Sequence, residues 1–162
     1  MMSKNLGMFT GILGAMVVVL LGCGKMVTNE ELTIRKMLEE FIHAVQENDE
    51  GLAQEYLLDL KSFTLLSPDV AARVDAETFI DAVLTDLLTN YRNLVRFFGG
   101  RNLKVKKFIL GDPWYQYKGF PAFKNNVLVV RAGNEDVQLV IRGIVKVGDR
   151  WRIVDLSDTG LF

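Results

Sequence analysis

Along this chain the spacing of apolar residues changes twice. An apolar run interrupted only by small residues, Thr10 among them, occupies positions 6–21, helical periodicity follows from 28 to 98, and alternation with a period of two takes over from 102 onward. Thr28 with Glu31 three residues later reads as a capping box. Behind it Ile34, Leu38, Phe41, Ile42 and Val45 fall within about 100° of a helical wheel, a core-facing stripe that predicts a helix ending near Glu47. Asn48-Asp49 opens a short second helix packing through Leu52, Ala53, Tyr56 and Leu57. Ser67-Pro68 marks a further start, with proline at the first helical position.

The longest predicted helix covers 76–98 and closes on Gly99-Gly100. Phe79, Ile80, Val83, Leu84, Leu87, Leu88, Tyr91, Leu94, Val95 and Phe98 fill about half its wheel, with polar residues on the rest. Such a stripe predicts burial against a sheet. It carries no carboxylate, and the Tyr91 hydroxyl is the one polar group it is expected to offer a cavity.

Strands are predicted at 103–110, 114–117, 122–131, 136–147 and 150–157, with hairpin turns at Gly133-Asn134 and Gly148-Asp149. A two-residue turn at Gly148-Asp149 sets Lys146 opposite Trp151, Ile144 opposite Ile153 and Arg142 opposite Asp155. One face then carries Ile144, Trp151, Ile153 and an Arg142–Asp155 pair. The other carries Leu139, Ile141, Val145, Val147, Val154 and Leu156. Both faces are apolar, so one is expected to take the helices and the other a partner, a membrane surface or the sheet's own curvature.

Three features each support two readings. The Arg142–Asp155 pair reads as a polar anchor in an apolar cavity or as a partly exposed salt bridge. The segment 113–123 holds Trp114, Tyr115, Tyr117, Phe120 and Phe123, an aromatic lip or headgroup-level belt on one reading and the cover of a core on the other. Arg96, Arg101, Lys104, Lys106 and Lys107 fit an anionic lipid surface or a sheet edge protected by lysines. His43 lies about 180° from Ile34 on the first helix and is expected at the surface.

The apolar run at 6–21 follows Lys4 and ends in Leu20-Leu21-Gly22-Cys23. Charged start, apolar middle and small residue at the cut describe a secretory signal. Its length sits at the bottom of the membrane-spanning range, and Gly7, Gly11 and Gly14 weaken a spanning helix. Leu-Leu-Gly-Cys resembles the bacterial lipobox. The resemblance implies cleavage before Cys23, a lipid on its thiol and an acylated new terminus, hence a membrane anchor without a transmembrane helix. Gly24 in place of the aspartate that retains such proteins in the inner membrane implies the outer membrane, facing the periplasm. Residues 24–27 reach at most about 14 Å before Thr28.

Removal of 22 residues from the 162 leaves 140, enough for one domain with a substantial core. Only Lys4 is lost among charged groups, so 18 basic residues face 20 acidic ones, a balance that gives no support for nucleic acid as a partner. Cys23 is the single cysteine and His43 the single histidine, too few soft ligands for a zinc or transition-metal site. No cofactor is expected.

The order of elements, the first-helix segment Leu38-Glu39-Glu40-Phe41-Ile42-His43-Ala44-Val45 and the closing hairpin Val147-Gly148-Asp149-Arg150-Trp151-Arg152-Ile153 together resemble the nuclear transport factor 2-like (cystatin-like cone) superfamily. The resemblance spans about 31–156. It implies an α+β domain with three N-terminal helices on a curved antiparallel sheet of four to five strands, wrapped into a cone whose mouth takes a small apolar molecule. Ketosteroid isomerase and polyketide cyclases belong to this superfamily, as do dimerisation domains and lipoproteins. The tyrosine of the isomerase's first helix corresponds to Phe41, and its aspartate base has no counterpart in Ser62-Phe63-Thr64-Leu65-Leu66.

The expectation is therefore a lipid-anchored envelope protein that binds an apolar ligand or an envelope protein without catalysis. Its expected contact residues are Tyr91, Trp114, Tyr115, Tyr117, Phe120, Arg142, Trp151 and Asp155. Two alternatives stand: an enzyme using Asp155 and Tyr91 on a small apolar substrate, and a structural subunit forming a homodimer sheet to sheet.

Overall fold

The computed structural model describes residues 28–156. The signal segment, Cys23, the tether and the last residue of the final expected strand lie outside the described residues.

Local capping sets the helical half. The Thr28 hydroxyl accepts from the Glu31 N–H at 3.1 Å and starts α1, Asn29–Glu47, which Asn48 ends in the left-handed conformation. All five expected stripe residues are buried, together with Met37 and Ala44. Asp49 caps α2, Glu50–Gln54, and Asp59 caps α3, Leu60–Leu66, while α4, Pro68–Ala71, begins on proline. Asp75 caps the long helix, formed by Ala76–Phe79, a π-helical turn Ile80–Leu84, and Thr85–Phe98. Five helices thus stand among the described residues where three were expected. α4 begins where Ser67-Pro68 predicted a start, whereas α3, at seven residues, completes too few turns for an apolar period to announce it.

The π turn also changes the long helix. Its wider winding shifts the stripe, and Ile80, expected inward, is 49% exposed, whereas Phe79, Leu87, Tyr91, Leu94 and Phe98 are buried. Asn90 is buried as well, and its Nδ2 donates to the Leu156 carbonyl at 2.8 Å. The helix therefore offers a second polar side chain to the interior beside Tyr91.

The sheet is antiparallel, with β1 (Leu103–Ile109), β3 (Ala122–Ala132), β4 (Glu135–Val147) and β5 (Arg150–Asp155) adjacent in that order, and the short β2 (Asp112–Pro113) also paired to β3. α1 lies over β1, and the long helix packs beside α1. Both edges are protected. β1 exposes Lys104, Lys106 and Lys107, and the backbone of Tyr56 and Leu58 bonds to Ile153 alongside β5 in a parallel bridge.

Three neighbouring strands change phase along one line. On β3, Leu128 and Val130 face the main core, but beyond Asn125, at φ 58°, Phe123 takes over that face. On β4 the inward series runs Leu139, Ile141, then Ile144 instead of residue 143. On β5, Ile153 pairs with Ile144 while Asp155 pairs with Gly143, leaving Val154 as a bulge. Leu139, Ile141, Ile144, Trp151, Ile153 and Leu156 consequently share one core, correcting the two-face division expected from strict alternation. The expected partnerships of Lys146 with Trp151 and Ile144 with Ile153 hold. The Arg142–Asp155 partnership does not, because the bulge intervenes.

Asn126 locks this line. Fully buried, it donates from Nδ2 to the carbonyls of Phe123 (3.2 Å) and Ile141 (3.1 Å) and accepts the Gly111 N–H at 3.0 Å. Gly111 has no room for a side chain, since a Cβ would stand 1.9 Å from the Lys124 carbonyl oxygen.

Candidate functional site

Beyond the phase change the sheet turns a second apolar face outward, and the chain covers it with its own aromatics. The Trp114 N–H bonds the Ala122 carbonyl at 2.8 Å, and the Lys146 N–H bonds that of Pro121 at 2.8 Å. The intervening residues therefore form a loop against the end of β4. The expected strand at 114–117 is absent: the ladder stops at Pro113, and residues 115–116 are already a turn. Ala122, Val145 and Val147 are buried beneath Trp114, Tyr117, Phe120, Val154 and Leu66. Trp114 meets Tyr117 edge to face, with ring centroids 5.1 Å apart.

The cover is incomplete. An open depression of about 570 Å³ remains along the loop, walled by Trp114, Tyr117, Phe120 and Phe123, and Tyr115 is 86% exposed beside it. Four of the eight expected contact residues are thus brought together here. Asp155 adjoins them in a groove that Trp114 and Tyr117 also line, and Tyr91, Arg142 and Trp151 lie elsewhere.

Asp155 is half-buried in a groove between the loop and the long helix, with Asp86, Gln116 and Tyr117. Burial pushes its carboxyl above the ordinary range; Arg142 opposes this and Asp86 reinforces it. Burial, then the Asp155 charge, raises the neighbouring Tyr117 hydroxyl. Arg142 is exposed and makes no ion pair with Asp155. Tyr91 is wholly buried, edge-on to Phe41, and its hydroxyl donates to the Ala44 carbonyl at 3.1 Å. Burial raises its pKa first, followed by the charges of Asp49 and Glu50. Tyr91 does not line the groove that holds Asp155.

Trp151 belongs to the main core, against Phe123 at 5.8 Å, with the Lys146 ammonium 5.9 Å from its ring. Its edge lines an open cleft of about 330 Å³ shared with Thr33, Lys36 and Met37 of α1, Tyr56 and Arg150. Among the described residues its indole N–H has no hydrogen-bond partner. Beside it Arg152 is buried, donating to the Glu55 carbonyl and pairing with Asp59 at 3.1 Å. Burial works against the Asp59 carboxylate, but the Ser62 N–H and hydroxyl and the Arg152 charge outweigh it and lower its pKa.

Sequence reasoning passed over Asn90, Asn126 and Arg152. Only Asn125-Asn126 carried a visible signal, two strand-averse residues inside an apolar strand. His43 is exposed, 3.9 Å from Glu47.

Among the described residues no group of three acidic, histidine or cysteine side chains is arranged to hold a metal, and no helix is long and apolar enough to cross a membrane. No protein-family model, curated protein or solved structure matches the chain.

Proposed function

We propose that the protein is a lipid-anchored cell-envelope binding module, held at the outer membrane through Cys23, with a domain of the nuclear transport factor 2-like kind. It recognises an apolar ligand or an envelope protein without chemical transformation. The observation that carries this reading is the loop at 114–121. It spends Trp114, Tyr117 and Phe120 on covering the sheet yet leaves an aromatic-walled depression and a nearly free Tyr115. Rigid rings with polar tips give large contact area at small cost in conformational entropy, the chemistry of recognition surfaces. The same cover occupies one end of the outer sheet face, over Val145 and Val147, which favours a ligand or a different protein at that end over self-association.

Trp114→Ala and Tyr117→Ala, made singly in the full chain, are expected to lose whatever apolar molecule or protein is retained by wild type in native mass spectrometry and pull-down. Identical retention by both variants and wild type would defeat the assignment.

A further inference from the structure

The aromatic loop and the point where the chain enters the domain lie at the same end of the sheet. In this antiparallel sheet the β2–β3 loop and the β4–β5 turn are neighbours, because Ala122 pairs with Val145 and the Lys146 N–H reaches Pro121. α1 begins beside them: Thr33 and Lys36 line a cleft with Asp149, Arg150 and Trp151. Its last turn is at the opposite end, where the Gln46 side chain accepts the Leu103 N–H at 2.8 Å. The chain outside the structure therefore arrives at the loop's end, and only four residues, about 14 Å at full extension, separate Thr28 from Cys23.

This end is apolar as well as close. Leu32, one turn into α1, is 53% exposed; Leu65, beside the β4–β5 turn, is 53% exposed; Tyr115 is 86% exposed, the highest of the large hydrophobic side chains among the described residues. Its charges are mixed, with Lys36, Lys61, Lys118 and Arg150 set among Glu30, Glu31, Glu55 and Asp149. No strong field of one sign is present, so the surface suits the interfacial layer of a bilayer, where tyrosine places its ring among acyl carbons and its hydroxyl among headgroups. We infer that this end of the domain rests on the bilayer, with Tyr115 at headgroup level and the apolar depression opening beside the membrane. The inference rests on the proposed anchor at Cys23.

The test uses the full chain, purified from bacterial membranes and reconstituted in phosphatidylethanolamine–phosphatidylglycerol vesicles. Tyr115→Cys and Asn134→Cys, at opposite ends of the sheet, each carry a nitroxide, since the native thiol is consumed by lipid. Power saturation with oxygen and a water-soluble nickel chelate reads depth. The label at 115 is expected to be shifted toward oxygen and away from nickel relative to that at 134. Equal, fully aqueous behaviour at both positions on an acylated protein overturns the inference alone. Shielding of position 115 from both reagents, the mark of a protein cover, overturns it too. An intact mass showing Cys23 unacylated removes the anchor and the inference together.

Discussion

The six-membered edge of Trp114 occupies the place where Gly143 lacks a side chain. A Cβ built on Gly143 would stand 2.5 Å from a ring carbon of Trp114 and 2.9 Å from a methyl of Val154, so the indole, the bulge and the glycine fit as one unit. Gly143→Ala is expected to cost about 1–3 kcal/mol through overpacking and to lift Trp114 into water. Urea titration measures the first effect, and a red-shifted tryptophan emission reports the second.

Asn126 satisfies three backbone groups at once where β3 changes phase. Its truncation leaves buried donors and acceptors bare, and a single such group costs about 1–3 kcal/mol. Asn126→Ala is therefore expected to be among the most damaging polar substitutions, with amide exchange accelerated at Gly111. Asn125→Gly, at the neighbouring positive φ, is expected to be nearly neutral because glycine adopts that conformation freely. Equal losses for the two would show that the side-chain bonds of Asn126 contribute nothing.

Asp59 caps α3 and faces the buried Arg152. Asp59→Asn keeps a competent cap but loses the charge, while Asp59→Ala loses both, the cap alone contributing about 1 kcal/mol. The order of stability expected in urea is wild type, then Asn, then Ala. The folded-state carboxyl is held below its ordinary value, so its stabilisation is present above the unfolded pKa and disappears as the pH falls through the folded one. In wild type this contribution fades on acidification; in Asp59→Asn that part of the acid slope is expected to be missing.

Asp155 behaves with the opposite sign. Its folded pKa is raised, so the protonated acid is the form that suits the groove, and stability falls as the pH rises from the unfolded value, near 3.9, through the folded one. Asp155→Asn is expected to flatten stability across that interval and to leave the protein slightly more stable at neutral pH. A thermal melt series on both proteins decides it: parallel curves would mean that Asp155 titrates as it does in water.

Much of the helical half and the order of the sheet was legible because a 19-residue amphipathic helix and an 11-residue strand repeat their period often enough to be read. α3 was not, since seven residues complete too few turns, and α4 was announced by Ser67-Pro68 rather than by any period. The phase change was hidden for a different reason. Alternation assigns each residue to a face only while every residue advances the pleat by one, and Asn125 and Val154 break that rule without altering the apolar content around them. The error then propagated to the candidate site, because a face assignment built on the unbulged register put Arg142 across from Asp155. Of the five aromatics in 113–123, Phe123 packs on the main core and Tyr115 is exposed, while Trp114, Tyr117 and Phe120 cluster. That they cover a second core of their own depends on the outward turn of Val145 and Val147, which the pattern had placed with Leu139 and Ile141.

That second core is small: among the described residues it has three buried members, Ala122, Val145 and Val147, against twenty-five in the main one. Two backbone bonds, from Trp114 and Lys146, hold the ends of the loop. Opening free energies within one protein range from almost nothing to the global value, and a unit with so little buried surface belongs near the lower end. The amides of the aromatic loop and the end of β4 are therefore expected to exchange before those of the helices and the main sheet, at the same end of the molecule as the first turn of α1.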